Sequence, residues 1–292
     1  MLFQTGIDLL RLQGDVVWAG AELTVNLIGA PYLAMVARKG DGHTPVMTLP
    51  GFTASEMSLT PLNRFFNANG YIASSWELGT NRGVRDIEHL ENMSMMIGAG
   101  VERLADKHGR KVALIGQSLG GVFAREVARR LPELVDRVIT LGCPAHVSVD
   151  SPNVNAMVAR IMALYAGRPV ADLLAEVQAL DFDLSEPPAG VPLVSIFSPY
   201  DGVVPKSTTQ IPQGFLDAKD GTPRENIEIV CSHCGMGVNP LVLLAIADRL
   251  AEDRTNWVDF DPMKYAIGNY AVGPLRLASR FFYPSRLPPL AA

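Results

Sequence analysis

Val112-Ala113-Leu114-Ile115-Gly116-Gln117-Ser118-Leu119-Gly120-Gly121 is the stretch on which the reading of the whole chain turns. Four consecutive apolar residues bounded by glycine make a short strand buried on both faces. From about Leu119 to Leu131 the pattern is helical. Arg125, Arg129 and Arg130 lie toward the negative end of that helix, and Pro132 stops it. Gly116-Gln117-Ser118-Leu119-Gly120 therefore spans a strand, a tight turn and the start of a helix. Glycines flanking the serine leave room for a sharp turn that lifts its hydroxyl above the sheet, so Ser118 is the expected nucleophile.

Working outward, the same alternation recurs. Val46-Met47-Thr48-Leu49 reads as a strand halted by Pro50-Gly51, and a second strand begins at Tyr71-Ile72-Ala73. Ile87, Leu90, Ser94, Ile97, Val101 and Leu104 recur every three or four residues, which predicts a helix ended by Gly109. Val138–Leu141, Leu193–Phe197 and Ile227–Val230 are further apolar strands. Strand, helix, strand with right-handed crossovers implies an α/β chain with a doubly wound, mostly parallel sheet covered on both faces.

A serine hydroxyl needs a neighbouring base, and the base needs an orienting acid. In strand–turn–helix sites of this kind the acid and then the histidine follow the serine along the chain. Only His146 and His233 lie beyond Ser118. His233 sits just past an apolar strand, whereas His146 precedes any acid-bearing strand, so His233 is the expected base. Asp201 closes the strand Leu193–Phe197 through Ser198-Pro199-Tyr200 and is the expected acid. Asp181, Asp183, Asp217 and Asp220 read as solvated surface charges. The oxyanion hole is expected from the Leu119 N–H and from the loop after the first strand, with Phe52 N–H the donor there and Thr53 the fallback.

Composition narrows the partners. The chain has 292 residues, 48% of them apolar and 19% charged, with a net charge of −5. No basic stripe recurs, which argues against nucleic acid. Three cysteines are too few for a disulfide framework, and Met1-Leu2-Phe3-Gln4 lacks the basic start of a secretory signal, so a cytoplasmic location is expected. Cys231 and Cys234 could form only half of a zinc site, so small apolar filler is the expectation and no metal or cofactor is anticipated. From Val16 to Ala37 the only formal charge is Glu22. That length could span a bilayer, but Glu22, Thr24, Asn26 and Pro31 favour a helix that packs on the core or lies on a surface.

The segments LPGF (49–52), GQSLGG (116–121), VITLGCP (138–144), SPYDGVV (198–204) and SHCGMGVNP (232–240) together resemble the bacterial lipase and esterase branch of the α/β-hydrolases. The resemblance covers roughly residues 44–255. It implies an α/β-hydrolase fold and puts Ser118, Asp201, His233, Phe52 and Leu119 in the roles reached above. Gln117 stands where relatives often carry histidine, and Cys143 where many lipases carry threonine or serine.

The expected division is an N-terminal helical extension over 1–45, a core over 46–256 and an aromatic-rich extension over 257–292 packed on the core. Residues 147–190 exceed a single crossover and read as a helical cap inserted in the core. Ser151-Pro152 starts its first helix, and its apolar side chains would line an acyl pocket. Gln117, His146, Met157 and Ile161 are the expected substrate contacts. The expected activity is hydrolysis of a small or lipid-like carboxylic ester through an acyl-enzyme. The alternatives are transfer of that acyl group to an alcohol and, less favoured because every catalytic position is occupied, a silent binding module. Peripheral membrane contact through the termini and a homo-oligomer are the further partners this composition leaves open.

Overall fold

The computed structural model describes residues 2–144, 163, 165–169, 172, 175, 186–217 and 220–265. Six strands form one sheet: β1 (Pro45–Leu49), β2 (Ile72–Ser75), β3 (Val112–Gln117), β4 (Val135–Leu141), β5 (Leu193–Phe197) and β6 (Arg224–Glu228). Their order is β2-β1-β3-β4-β5-β6, and every neighbouring pair is parallel. The chain moves outward from β1 to β2, then returns to lay β3 on the other side of β1. That reversal opens a crevice at the carboxyl ends of β1 and β3, where ligands of such sheets bind.

Alternation along the strands builds the two layers. Ile115, Ile139, Leu141, Val194 and Ile196 point to one face, where they meet α7 (Pro240–Leu250), α2 (Thr60–Ala68) and Leu33 of α1 (Leu2–Val36). Val112, Leu114, Val138 and Leu193 point to the other, against α3 (Ile87–His108) and α4 (Leu119–Arg130). Each fully buried Leu, Ile or Val of this kind contributes about 1.5–3 kcal/mol of transfer free energy. Helix α3 starts where Asp86 accepts the His89 N–H at 2.7 Å and ends at Gly109, whose φ of 61° is left-handed. Two short helices, α5 (Lys206–Thr209) and α6 (Gln213–Leu216), connect β5 to β6.

One strand lies earlier than expected. The apolar run Ile227–Val230 predicts the last strand, but β6 is Arg224–Glu228, paired from Leu193↔Arg224 to Phe197↔Glu228. It is an edge strand with one neighbour, so it need not be apolar: four of its five residues are polar and the apolar run marks only its end.

Helix α1 is the feature least like an ordinary core helix. Trp18 and Leu33 are buried, but so are Asp15 and Glu22, both with no exposed surface. Val17, Leu27, Ile28 and Met35 are instead exposed, by 64%, 69%, 78% and 71%. The stretch Leu10–Val36 is long and apolar enough to cross a membrane by length and composition. At the other terminus, Trp257 lies under the Arg249 guanidinium at 4.8 Å, and Phe260 stacks on Tyr265 at 5.9 Å. Most of the 147–190 insert, with His146, Met157 and Ile161, lies outside the described residues, as does the chain from 266 to 292.

Candidate active site

Ser118 occupies the step between β3 and α4 with φ 51° and ψ −123°. A serine gains nothing from such a backbone, and strain held by a packed scaffold is a mark of functional sites. Close packing makes the turn: a Cβ on Gly120 would come 2.3 Å from the Leu49 carbonyl oxygen, so only glycine lets α4 approach β1. The Ser118 N–H donates to the Leu141 carbonyl at 2.8 Å, and its carbonyl accepts from Gly121 at 2.9 Å. Cys143 packs against Gly121, and burial pushes its thiol up to about 12, so it is neutral filler.

Asp201 follows β5 and His233 follows β6. One Asp201 oxygen, Oδ1, accepts from the N–H groups of Val203 (2.8 Å) and Val204 (2.7 Å). That leaves Oδ2 for His233 Nδ1, 2.6 Å away. With Asp201 ionised, Nδ1–H is the donor, so the basic Nε2 is free for other work. Burial opposes charging of His233. The Asp201 charge and hydrogen bond, with help from Asp15, outweigh it and hold the imidazole above its ordinary value of 6.5. Asp217 and Asp220 lie on the surface, the former accepting from Gln213 and the latter paired with Arg224 at 2.5 Å.

Ser118 and His233 line one cavity of about 310 Å³. Gly51, Phe52 and Thr53 from the loop after β1 form part of its wall, with Leu12, Ala54, Val203 and Val238 as apolar lining. The two candidate donors in that loop separate here. Thr53, at φ 64°, already donates its N–H to the Asn81 carbonyl at 2.7 Å, which leaves Phe52 as the candidate donor of this loop. Asn81 also donates from its side chain to the Pro50 carbonyl at 2.8 Å, bracing the loop from below.

Gln117, expected to touch substrate, lines the cavity and also donates from Nε2 to the His233 carbonyl at 2.9 Å. Tyr165, from the inserted segment, packs edge-on against the Phe52 ring with centroids 5.6 Å apart.

Asn81, Asp15 and Glu22 are site residues that the sequence reading passed over. For the helix pair a signal existed. Two carboxylates seven residues apart share one face of a helix, and acids inside an otherwise apolar stretch must find donors. Nothing local said which donors.

No protein-family model matches the chain. Solved structures do resemble it. Lipase B of Aspergillus fumigatus is 13% identical over 86% of this chain and 65% of that one, with a TM-score of 0.55. The propeptide form of the Bacillus licheniformis lipase BlEst2 is 17% identical over 77% and 54%, with a TM-score of 0.53. A candidate aryl esterase of Burkholderia cenocepacia is 14% identical over 73% and 92%, with a TM-score of 0.50. With the all-parallel sheet, the serine at the β3–α4 turn and these likenesses in shape, the chain has the α/β-hydrolase fold.

Proposed function

We propose that the protein hydrolyses carboxylic esters through an acyl-enzyme on Ser118. One observation carries this: a serine on a strained strand-to-helix turn shares a cavity with a histidine whose Nδ1 is held 2.6 Å from a buried aspartate. Ser118 Oγ attacks the ester carbonyl as His233 Nε2 takes its proton, and the N–H groups of Phe52 and Leu119 receive the oxyanion. Collapse of the tetrahedral intermediate expels the alcohol, which takes the proton from His233. Water, deprotonated by the same imidazole, then releases the acid.

The apolar lining and the Tyr165–Phe52 contact support a cap that shapes an acyl pocket, and hence acyl chains longer than acetyl. The exposed apolar residues of α1, whose Leu12 reaches the cavity wall, support peripheral contact with a phospholipid surface, for which vesicle co-sedimentation is the test. The three free cysteines support a reducing, cytoplasmic setting. A panel of p-nitrophenyl esters of increasing acyl length tests the activity. Turnover that rises beyond acetyl and falls selectively for longer chains in Tyr165→Ala is expected. No turnover of any ester would sink the reading, and equal losses on all esters would sink the pocket. Adding an alcohol acceptor separates hydrolysis from acyl transfer.

A further inference from the structure

Helix α1 does something to the site that no local motif announces. Asp15 Oδ2 accepts the backbone N–H of His233 at 2.8 Å and that of Gly202 at 3.2 Å, and Oδ1 accepts the N–H of Cys234 at 2.8 Å. One carboxylate thus bridges the loop that carries the candidate base and the loop that carries its acid. Seven residues along the same face, Glu22 accepts from the Ser232 N–H at 3.1 Å, the Ser232 hydroxyl and the Asn239 side chain at 2.8 Å. Asn26 adds a bond to the Val238 carbonyl at 2.7 Å. The fit around Glu22 is tight, since a Cβ on Gly235 would stand 1.7 Å from its Oε2. Both carboxylates are wholly buried, and a buried acid is retained only where its hydrogen bonds are complete.

We infer that Asp15 is a positioning residue for the Ser118 site: from α1 it locks the His233 and Asp201 loops in register, with Glu22 and Asn26 fixing the far side of the His233 loop. The inference rests on the ester-hydrolase reading for its kinetic consequence but not for its geometry. Charge adds to position. The ionisable groups facing the imidazole are Asp201 from the loop after β5 and Asp15 from α1, with Glu22 further along that helix and the Cys231 and Cys234 thiols on either side. Burial raises the Cys231 thiol, and desolvation together with the adjacent Asp15 carboxylate raises that of Cys234, so neither carries charge at neutral pH. Cys234 is exposed and so is not the apolar filler expected. Removing the Asp15 charge takes away one of the attractions that favour the imidazolium.

The test compares wild type, Asp15→Asn and Leu33→Ala. Leu33 is buried on the same helix and has an apolar side chain that cannot hydrogen-bond either loop, so its truncation reports loosened docking of α1 alone. With p-nitrophenyl butyrate, Asp15→Asn is expected to lower kcat on the order of 10²-fold with KM little changed, because the base and acid lose their mutual placement. Its acid limb should move to lower pH, and so should the NMR titration midpoint of the His233 ring. Leu33→Ala should lower Tm while keeping the wild-type kcat and both midpoints. Asp15→Glu keeps the charge but is one methylene too long, so it should restore the midpoints and only part of kcat. If Asp15→Asn does not fold, Asp15→Glu decides, a reduced kcat at unchanged midpoints supporting the inference. Wild-type kcat and midpoints in folded Asp15→Asn, or wild-type kcat in Asp15→Glu, would overturn it. A wild type without turnover would refute the hydrolase reading alone, since the His233 titration still reports on Asp15.

Discussion

The two ends of the sheet bury carboxylates in opposite ways. At the amino end, Glu225 at the start of β6 and Asp248 on α7 are met by the fully buried Arg249 guanidinium, Glu225 at 2.7 Å. Trp257 covers that cation, and the Tyr265 hydroxyl donates to Asp248 at 2.7 Å. At the carboxyl end, Asp15, Glu22 and Asp201 are answered chiefly by N–H and O–H dipoles: Gly202, His233 and Cys234 for the first, Ser232 and Asn239 for the second, Val203 and Val204 for the third. An ion pair offsets charge, and at the amino end a buried cation is shared between the acids. Dipoles stabilise a negative charge without cancelling it, so Asp201 and Asp15 keep a negative field around His233, whereas burial holds the Glu22 proton up to about pH 7. In the proposed mechanism that field favours a base that must become an imidazolium while Ser118 reacts.

The sharpest way to break this contrast is to remove one group from each end. Asp201→Asn should leave the fold intact and reduce kcat on the order of 10⁴-fold, because the amide favours the wrong imidazole tautomer. Arg249→Met should do the reverse. It strands Glu225 without its cation and leaves Asp248 only Arg38, at 3.7 Å, so unfolding stability should fall by about 3–5 kcal/mol in urea melts, while folded protein keeps its turnover. A stability loss from Asp201→Asn as large as that from Arg249→Met, or a kcat loss from Arg249→Met, would erase the distinction.

A smaller effect sharpens it. Burial raises Glu22 from 4.5 to about 7, against the lowering effect of its bonds to Ser232 and Asn239. The folded state therefore holds a proton that the unfolded state has released between those values. Stability from this group is fully present below pH 4.5 and is lost as pH rises through about 7. Measured against Glu22→Gln, wild type should lose about 1–3 kcal/mol between pH 5 and 8. A difference that does not change with pH would mean that Glu22 is ionised throughout.

What the sequence makes legible follows from how local each constraint is. The Ser118 turn can be read because strand, glycines and helix start are adjacent, and the clash that forces Gly120 involves a neighbouring strand. The end of α3 can be read because Gly109 alone supplies its left-handed cap. Strand β6 is displaced because an edge strand need not be apolar, so hydropathy marks its last residues instead of its centre. The choice between Phe52 and Thr53 needs the Asn81 carbonyl, which lies on another loop. Asp15 and Glu22 are the least legible of all. Their donors lie 187 or more residues away along the chain, so in sequence Glu22 registers only as a flaw in a membrane span.

The measurement that bears most directly on the central claim is labelling by a fluorophosphonate, followed by intact mass, with the adduct located by peptide mapping and the rate taken as a function of pH. A single adduct, on Ser118, is expected. Its rate should fall as pH drops through a midpoint above 6.5, since a protonated His233 cannot take the serine proton. Ser118→Ala, folded and with unchanged Tm, should take no label. An adduct on another residue, or undiminished labelling of Ser118→Ala, would contradict the account.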